Sequence, residues 1–174
     1  MRILLLFVTL LFAGLVSAQS QGDLVDLENC TFPFDSLKVE HDHFNRVTNY
    51  YYQGAPFTGC AKQILPQFGK YYFYQVKKGR LERQVGFYDN GQKCRDYTFI
   101  NGFTHGVIEL FYDDGSPYIR EEYSNGKLHG SLKRWKDGQL VREAEFWNGS
   151  MVWEKIYEID MKNSTARTKK KDGC

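Results

Sequence analysis

The chain has 174 residues, enough for one domain or at most two small ones. Hydrophobic residues make up 42% of it and charged residues 25%, a balance typical of a folded protein rather than a disordered one. The 23 Lys and Arg residues against 21 Asp and Glu residues leave a formal charge of +2, which gives no general reason to expect a nucleic-acid partner.

Residues 1–18 predict a secretory signal peptide. Met1 and Arg2 give a short basic start, a 14-residue apolar run extends from Ile3 to Val16, and small residues follow at Ser17–Ala18. Fourteen residues are too few for a helix to cross about 30 Å of hydrocarbon, which needs roughly 20. We therefore expect cleavage after Ala18 and a soluble mature chain that is secreted from the cell.

The cysteines and glycosylation motifs agree with export. An even number of cysteines in an oxidising compartment predicts up to two disulfides, and the four present are Cys30, Cys60, Cys94 and Cys174. Three Asn-x-Ser/Thr motifs make Asn29, Asn148 and Asn163 candidate glycosylation sites. Asn163 is the best candidate, because it lies in a polar tail, whereas Asn29 precedes a cysteine and Asn148 belongs to a turn series described next.

A repeat of about 23 residues occupies the middle of the chain. The six-residue unit Asn101–Gly106 recurs 24 residues later as Asn125–Gly130, and Asn148-Gly149 continues the series after a further 23. A second glycine series interleaves with the first at steps of 22, 24 and 23 residues: Gly69, Gly91, Gly115 and Gly138. Aromatic residues stand in register before and after these glycines: Phe87-Tyr88, Phe111-Tyr112 and Trp135 before, and Phe99, Tyr123 and Phe146 after.

The repeat unit has the chemistry of a β-hairpin. Asn-Gly and Asp-Gly favour type I′ turns, because both central positions need positive φ. Between the turns lie short runs rich in β-branched and aromatic residues, such as Val107–Tyr112 and Tyr118–Tyr123, which predict strands. Neighbouring hairpins added edge to edge predict an all-β fold, an elongated antiparallel meander of about four to five hairpins over residues 50–161. The predicted turn glycines are Gly91, Gly102, Gly106, Gly115, Gly126, Gly130, Gly138 and Gly149.

The pattern Tyr-x-Asn-Gly-x-x-His-Gly, then a strand, then Tyr-Asp-Asp-Gly, resembles the MORN repeat. It is closest to the variant form of many bacterial antitoxin-like proteins, and the resemblance covers about residues 50–155. Six residues match the repeat core: Gly102, His105, Gly106, Gly126, His129 and Gly130. The first two repeats depart from it, because Phe57-Thr58 precedes Gly59 and Arg83 stands four residues after Gly79. The resemblance implies a protein-interaction scaffold, sometimes proposed to touch phospholipid, and brings no catalytic residues.

The segments on either side of the repeats predict covers for the sheet. Residues 19–49 are expected to form an N-terminal cap with one short helix or turn near Phe34–Leu37. Residues 151–161 alternate with period two and predict a final strand or pair of strands. Residues 162–174 are polar and basic and are expected to be a disordered tail.

This layout favours one disulfide pairing. Cys60 begins the first hairpin, and Cys94 lies near the opposite end about three strands away. Strands lie about 4.8 Å apart and bonded cysteines need Cα atoms within about 7 Å, so a Cys60–Cys94 bond fits poorly. We prefer Cys30–Cys60, which joins the cap to the first repeat. Cys94 then pairs with Cys174, unless Cys174 links to another chain or Cys94 stays reduced in an apolar column.

No constellation of residues predicts catalysis. His41-Asp42-His43 offers two metal ligands, but no third ligand is placed by the sequence, so a solvated polar segment is favoured. His105 and His129 recur at one repeat position, which predicts turn residues that hydrogen-bond the loop. Motifs for a serine nucleophile, a zinc protease and a phosphate-binding loop are all missing from the sequence. We therefore predict no enzyme, no metal and no cofactor.

The predicted function is a secreted, non-catalytic structural or protein-interaction component in a matrix, coat or secretion. Its expected partner is an extracellular protein or matrix component, with neither nucleic acid nor stable membrane insertion. The alternative is a peripheral lipid- or polyanion-binding module that uses exposed aromatic and basic residues. Lys169–Lys171 supports this alternative weakly, since clusters of 4–8 basic residues are usual. A third possibility is an extracellular enzyme centred on His41 and His43.

Overall fold

The computed structural model describes residues 27–43 and 47–159. The predicted signal peptide, the beginning of the predicted cap and the predicted basic tail lie outside the described residues.

The described residues form 14 β-strands and three short 3₁₀ helices, with no α-helix among them. The predicted all-β class is confirmed, as one large sheet of hairpins that is almost entirely antiparallel. The strands are β1 (Phe32–Pro33), β2 (Lys38–Asp42), β3 (Val47–Tyr52), β4 (Ala55–Pro56), β5 (Gly59–Leu65), β6 (Lys70–Lys77), β7 (Arg80–Tyr88), β8 (Lys93–Ile100), β9 (Phe103–Thr104), β10 (Gly106–Phe111), β11 (Pro117–Ser124), β12 (Lys127–Lys136), β13 (Gln139–Trp147) and β14 (Ser150–Ile156). The 3₁₀ helices are Leu27–Asn29, Phe34–Ser36 and Pro66–Phe68.

The sheet follows the chain from strand to neighbouring strand. Its hydrogen-bonded order is β1-β5-β6-β7-β8-β10-β11-β12-β13-β14, and only β1 runs parallel to its neighbour. The predicted meander is therefore present from β5 onward, and the predicted final strand is β14. Among the described residues, no helix has the length and apolar character needed to cross a membrane.

The N-terminal segment is more structured than the sequence predicts. The 3₁₀ helix Phe34–Ser36 agrees with the expected short helix or turn. The β2–β3 hairpin, however, lies largely within the predicted cap and was not expected. It joins the sheet where Asn49 pairs with Arg80, and where the Tyr50 N–H donates to the Gly79 carbonyl at 2.9 Å.

The hydrophobic core lies between this N-terminal segment and one face of β5–β8. On β6, Tyr72 and Tyr74 project to this covered face, and the strand's period of two sends Tyr71 and Phe73 to the opposite face. Phe34 packs against Tyr74 with ring centroids 4.2 Å apart. The buried members of the core are Leu37, Tyr50, Ala61, Tyr72, Tyr74, Val76, Leu81, Tyr88 and Cys94.

The turns are of two kinds, of which the sequence predicts one. Positive φ at both central residues, the mark of a type I′ turn, occurs at Gln53-Gly54, Lys78-Gly79, Asn101-Gly102, Asn125-Gly126, Asp137-Gly138 and Asn148-Gly149. The type I′ prediction is wrong at Gly91 and Gly115, where only the glycine has positive φ. There the connection is longer, and the side chain of Asn90 or Asp114 accepts a hydrogen bond from the backbone two residues on.

Successive repeats are joined at the turns. The backbone N–H of a turn glycine donates to a carbonyl one repeat earlier: Gly79 to Phe57, Gly126 to Thr104 and Gly149 to Leu128. Each acceptor lies two residues before a further glycine of positive φ: Gly59, Gly106 and Gly130. In the repeat that departs from the pattern, Arg83 lies within the uninterrupted strand β7. In that repeat the Val47 side chain of β3 packs against the turn glycine Gly102, and its Cγ1 lies 3.0 Å from the position that a Cβ on Gly102 would take.

A tyrosine column joins the repeats at the opposite end of the strands. The Tyr88 hydroxyl donates to the Phe111 carbonyl at 2.9 Å, and one repeat later Tyr112 donates to the Trp135 carbonyl at 3.1 Å. Tyr88 is 0% exposed. Its burial, with a further contribution from the nearby Asp113 carboxylate, raises its pKa to about 12. This aromatic column therefore has a structural role.

We expect Gly86→Ala to destabilise the fold by roughly 3 kcal/mol, because the site is overpacked. A Cβ at Gly86 would lie 2.6 Å from the Tyr72 ring and 2.8 Å from Cys94 Sγ. Gly138→Ala is the matched control, since no heavy atom lies within 4 Å and only its positive φ opposes the change. Gly138→Ala should lower the free energy of unfolding by about 1 kcal/mol. Guanidinium unfolding measures both, and equal losses would contradict the crowding at Gly86.

We expect Tyr88→Phe to lower the free energy of unfolding at neutral pH by about 1 kcal/mol, through loss of the Phe111 hydrogen bond. Because the pKa of Tyr88 is about 10 in the unfolded chain and about 12 in the folded protein, the neutral hydroxyl stabilises the fold. This contribution to the free energy of unfolding is fully present below about pH 10 and is lost as the pH rises through about 12. Phenylalanine cannot ionise, so the variant should lose less stability over that interval. Urea unfolding at several pH values, with the exposed Tyr52→Phe as control, tests this, and parallel pH curves for Tyr88→Phe and wild type would refute it.

Candidate functional site

The uncovered face of β5–β7 carries a groove lined mainly by aromatic rings. We call it the aromatic groove and define it by Lys62, Tyr71, Phe73 and Phe87, with Leu27, Cys30 and Thr31 along one side. Its volume is about 690 Å³. It is the best candidate for a binding site among the described residues, because it combines apolar surface with a few polar groups.

The strand register brings the groove residues together. Lys62 on β5 lies opposite Phe73 on β6, and Tyr71 on β6 lies opposite Phe87 on β7. Opposed residues in an antiparallel pair project from the same face, so the four side chains form one continuous surface. Strands β2 and β3 pack on the other face of these strands; on this face Tyr71 and Phe87 are half-buried and Phe73 is 7% exposed.

The rings form an ordered platform. Tyr71 and Phe87 stack with centroids 5.3 Å apart and an angle of 13° between their planes. Phe73 presents its edge to both rings, at 5.8 Å from Tyr71 and 5.9 Å from Phe87. Stacked and edge-to-face pairs are favoured by the aromatic quadrupole, by about 0.5–1.5 kcal/mol each. The platform is therefore set before any ligand arrives.

A disulfide holds the wall of the groove. Cys30 is bonded to Cys60 with Cα atoms 5.4 Å apart, which confirms the preferred pairing. Cys30 is 4% exposed, and its N–H donates to the Leu27 carbonyl at 3.3 Å. The segment that carries Leu27 and Thr31 is thus fixed to strand β5 beside the rings.

The charges near the rings are positive. The Lys62 ammonium lies 5.4 Å from the centroids of both Tyr71 and Phe73, and Lys93, opposite Phe87, lies 5.3 Å from the Phe111 centroid. The nearby Asp96 carboxylate is engaged by Arg83 through two hydrogen bonds of 2.9 and 2.8 Å, which raise the pKa of the guanidinium. Among the described residues that line the groove there is no carboxylate, and Lys62 is the charged one of them.

The remaining predicted disulfide and glycosylation residues are placed as follows. Cys94 is fully buried and disulfide-bonded, which contradicts the alternative that its thiol stays reduced. Its predicted partner Cys174 lies outside the described residues, as does Asn163. Asn29 and Asn148 are both exposed, and Asn148 has the positive φ expected of a turn residue.

The histidines do not join the groove. His41 and His43 are exposed, with ring centroids 6.5 Å apart, and His41 Nδ1 lies 3.0 Å from the Thr48 hydroxyl. Within residues 27–43 and 47–159, no group of three or more His, Cys, Asp or Glu side chains could hold a metal ion. His129 Nδ1 accepts a hydrogen bond from the Asn148 N–H at 3.4 Å, so it bonds the turn of the next repeat. His105 bonds Thr98 through its backbone, as its N–H donates to the Thr98 carbonyl at 3.0 Å and its carbonyl accepts from the Thr98 hydroxyl, while its ring Nδ1 is buried without a hydrogen-bond partner.

Most residues of the aromatic groove are not marked as a site by the sequence. Phe87 belongs to a repeat column, but Lys62, Tyr71 and Phe73 were not singled out. The run Lys70–Lys77 alternates in the way a strand does, and this separates Tyr71 and Phe73 from Tyr72 and Tyr74. It does not indicate which pair is covered, because that depends on contacts with the distant N-terminal segment.

No family model matches the chain, and neither does any curated protein. The repeat resemblance therefore stays a prediction. Function has to be inferred from the groove, the disulfides and the repeat geometry of this chain.

Proposed function

We propose that this chain is exported and acts outside the cell as a non-catalytic structural or protein-interaction component, and that its hairpins are MORN-type repeats. The observation that carries the proposal is the aromatic groove, an open and pre-formed apolar surface beside a disulfide. The disulfide-bonded state of Cys94 also supports export, because structural disulfides form and persist in oxidising compartments.

The proposed occupant of the groove is an extended segment of a partner protein that carries an apolar side chain next to a carboxylate. The rings of Tyr71 and Phe87 offer apolar surface, and the Lys62 ammonium, which lies over the Tyr71 ring, offers a positive charge. A carboxylate on the partner complements that charge, since none of the described residues that line the groove is acidic. The groove is open rather than a closed cavity, which suits a polypeptide.

Binding rather than catalysis is favoured by the chemistry of the lining. General acid–base catalysis needs a positioned titratable group, most often His, Asp or Glu. The described residues that line the groove are Leu, Cys, Thr, Lys, Tyr and Phe, and the cysteine among them is in a disulfide. The residues there can hold and orient a ligand through stacking and charge.

Intact mass of the full chain expressed in a secretory cell line tests export. We expect the medium to contain residues 19–174 with any attached glycan. Reduction should then add four hydrogens if both predicted disulfides are present. An intracellular product that retains Met1 would overturn the export part of the proposal.

Lys62→Glu tests the groove, with retention of the secreted protein on washed extracellular matrix of the producing cells as the measurement. We expect the variant to bind about tenfold more weakly, because its carboxylate would repel that of the partner. Lys136→Glu is the matched control, since it makes the same charge change at an exposed position on β12. It should bind like the wild type.

The other outcomes of this experiment separate the functions. Equal weakening of Lys62→Glu and Lys136→Glu, with competition by heparin and loss at high salt, would favour a polyanion-binding module over the proposed function. If the matrix retains both variants as well as it retains the wild type, the groove is not the binding surface. A wild type that is not retained by the matrix would overturn the proposed role.

A further inference from the structure

The Asn148-Gly149 turn has a sequence around it that the turn itself does not require. Asn-Gly type I′ turns recur along the repeat at 101, 125 and 148, and each of them needs only its two residues of positive φ. The residue after the glycine is Phe103 in the first turn, Lys127 in the second and Ser150 in the third. Of these three turns, the third therefore completes an Asn-x-Ser motif, which is the acceptor sequence for an N-linked glycan.

A tryptophan stands directly before this acceptor. Trp147 ends β13 and pairs with Ser150 at the start of β14, so the two side chains flank the turn on one face of the sheet. Trp147 is 68% exposed, the largest exposed fraction among the three tryptophans of the chain. The His129 ring packs against it, with centroids 4.3 Å apart and an angle of 43° between the planes. The indole is thus supported on one side and open to solvent over most of its surface.

Trp147 and Asn148 line one hollow at the end of the strands. Its volume is about 350 Å³, at the small end of the range for ligand sites. The turn is fixed beside β12, because the Asn148 N–H donates to His129 Nδ1 at 3.4 Å and the Gly149 N–H donates to the Leu128 carbonyl at 2.8 Å. Both bonds use the backbone of the turn, so neither of them occupies the Asn148 carboxamide. The other residues that line the hollow are Ser124, Asn125, Lys127 and His129.

We propose that Asn148 carries an N-linked glycan whose first N-acetylglucosamine packs in this hollow against Trp147. The proposal rests on the export proposed above, because the glycan donor, a lipid-diphosphate-linked oligosaccharide, belongs to the secretory pathway. In the transfer the Asn148 side-chain nitrogen bonds to C1 of the first sugar, and the bond from C1 to the phosphate oxygen breaks. The lipid diphosphate leaves with the electron pair, and the amide nitrogen loses one proton. Nothing is oxidised or reduced.

The lining of the hollow is complementary to such a sugar. A pyranose ring has an apolar face of C–H groups and a rim of hydroxyl groups, so its apolar face can lie on the open surface of the indole. The side chains of Ser124, Asn125 and Lys127 can hydrogen-bond the rim and the N-acetyl group. The covalent bond to Asn148 holds the sugar beside the hollow at a high effective concentration, which a free ligand lacks. The attachment point therefore identifies the occupant of the hollow.

Peptide mapping of the full chain secreted by a eukaryotic cell line tests the attachment. We expect a glycan on the peptide that contains Asn148. Ser150→Ala should remove that glycan, whereas Ser150→Thr should keep it, because threonine also completes the motif. Position 150 is exposed, and both changes leave Asn148 and Gly149 in place. A secreted wild type with unmodified Asn148 would overturn this proposal and leave export intact. An intracellular product that retains Met1 would overturn the export on which the glycan depends.

Release of the Asn148 glycan from the native protein by peptide N-glycanase tests the packing against Trp147. The enzyme converts the glycosylated asparagine to aspartate, so the mass of the same peptide reports the rate at this site. We expect Trp147→Leu to speed the release about fivefold, which corresponds to the loss of one aromatic contact. Trp153→Leu is the matched control, because Trp153 is also exposed but is not among the residues that line the hollow, and it should release the glycan at the wild-type rate. Equal rates for Trp147→Leu and wild type, or equal acceleration in both variants, would overturn the packing.

Discussion

The fold depends on backbone hydrogen bonds that link hairpin turns to the repeat before them. The Gly126 N–H donates to the Thr104 carbonyl from a turn in which Asn125 and Gly126 both have positive φ. At the opposite end of the strands the Tyr88 hydroxyl donates to the Phe111 carbonyl. Three turn glycines and two tyrosines make such bonds, so neighbouring repeats are joined at both ends of the strands.

The sequence could predict this part of the fold because its causes are local. Asn-Gly at 101 and 125 favours positive φ at both residues, and the distance between these turns in the sequence predicts the length of the strands between them. Asp114-Gly115 looks similar but forms a longer loop, because Asp114 bonds the Ser116 N–H. The β2–β3 hairpin and the choice between Tyr71 and Tyr72 for the open face could not be predicted. Both depend on where residues 32–52 pack, and that contact is distant in sequence.

The Cys30–Cys60 disulfide links this non-local packing to the candidate site. A sheet of one layer buries only one face well, so the N-terminal segment has to be held against it. The bond closes a loop with a sequence separation of 30 residues, and chain-entropy arguments give about 3–4 kcal/mol for a loop of that length. The same bond places Leu27 and Thr31 beside the rings. Stability and the shape of the aromatic groove therefore share one covalent cause.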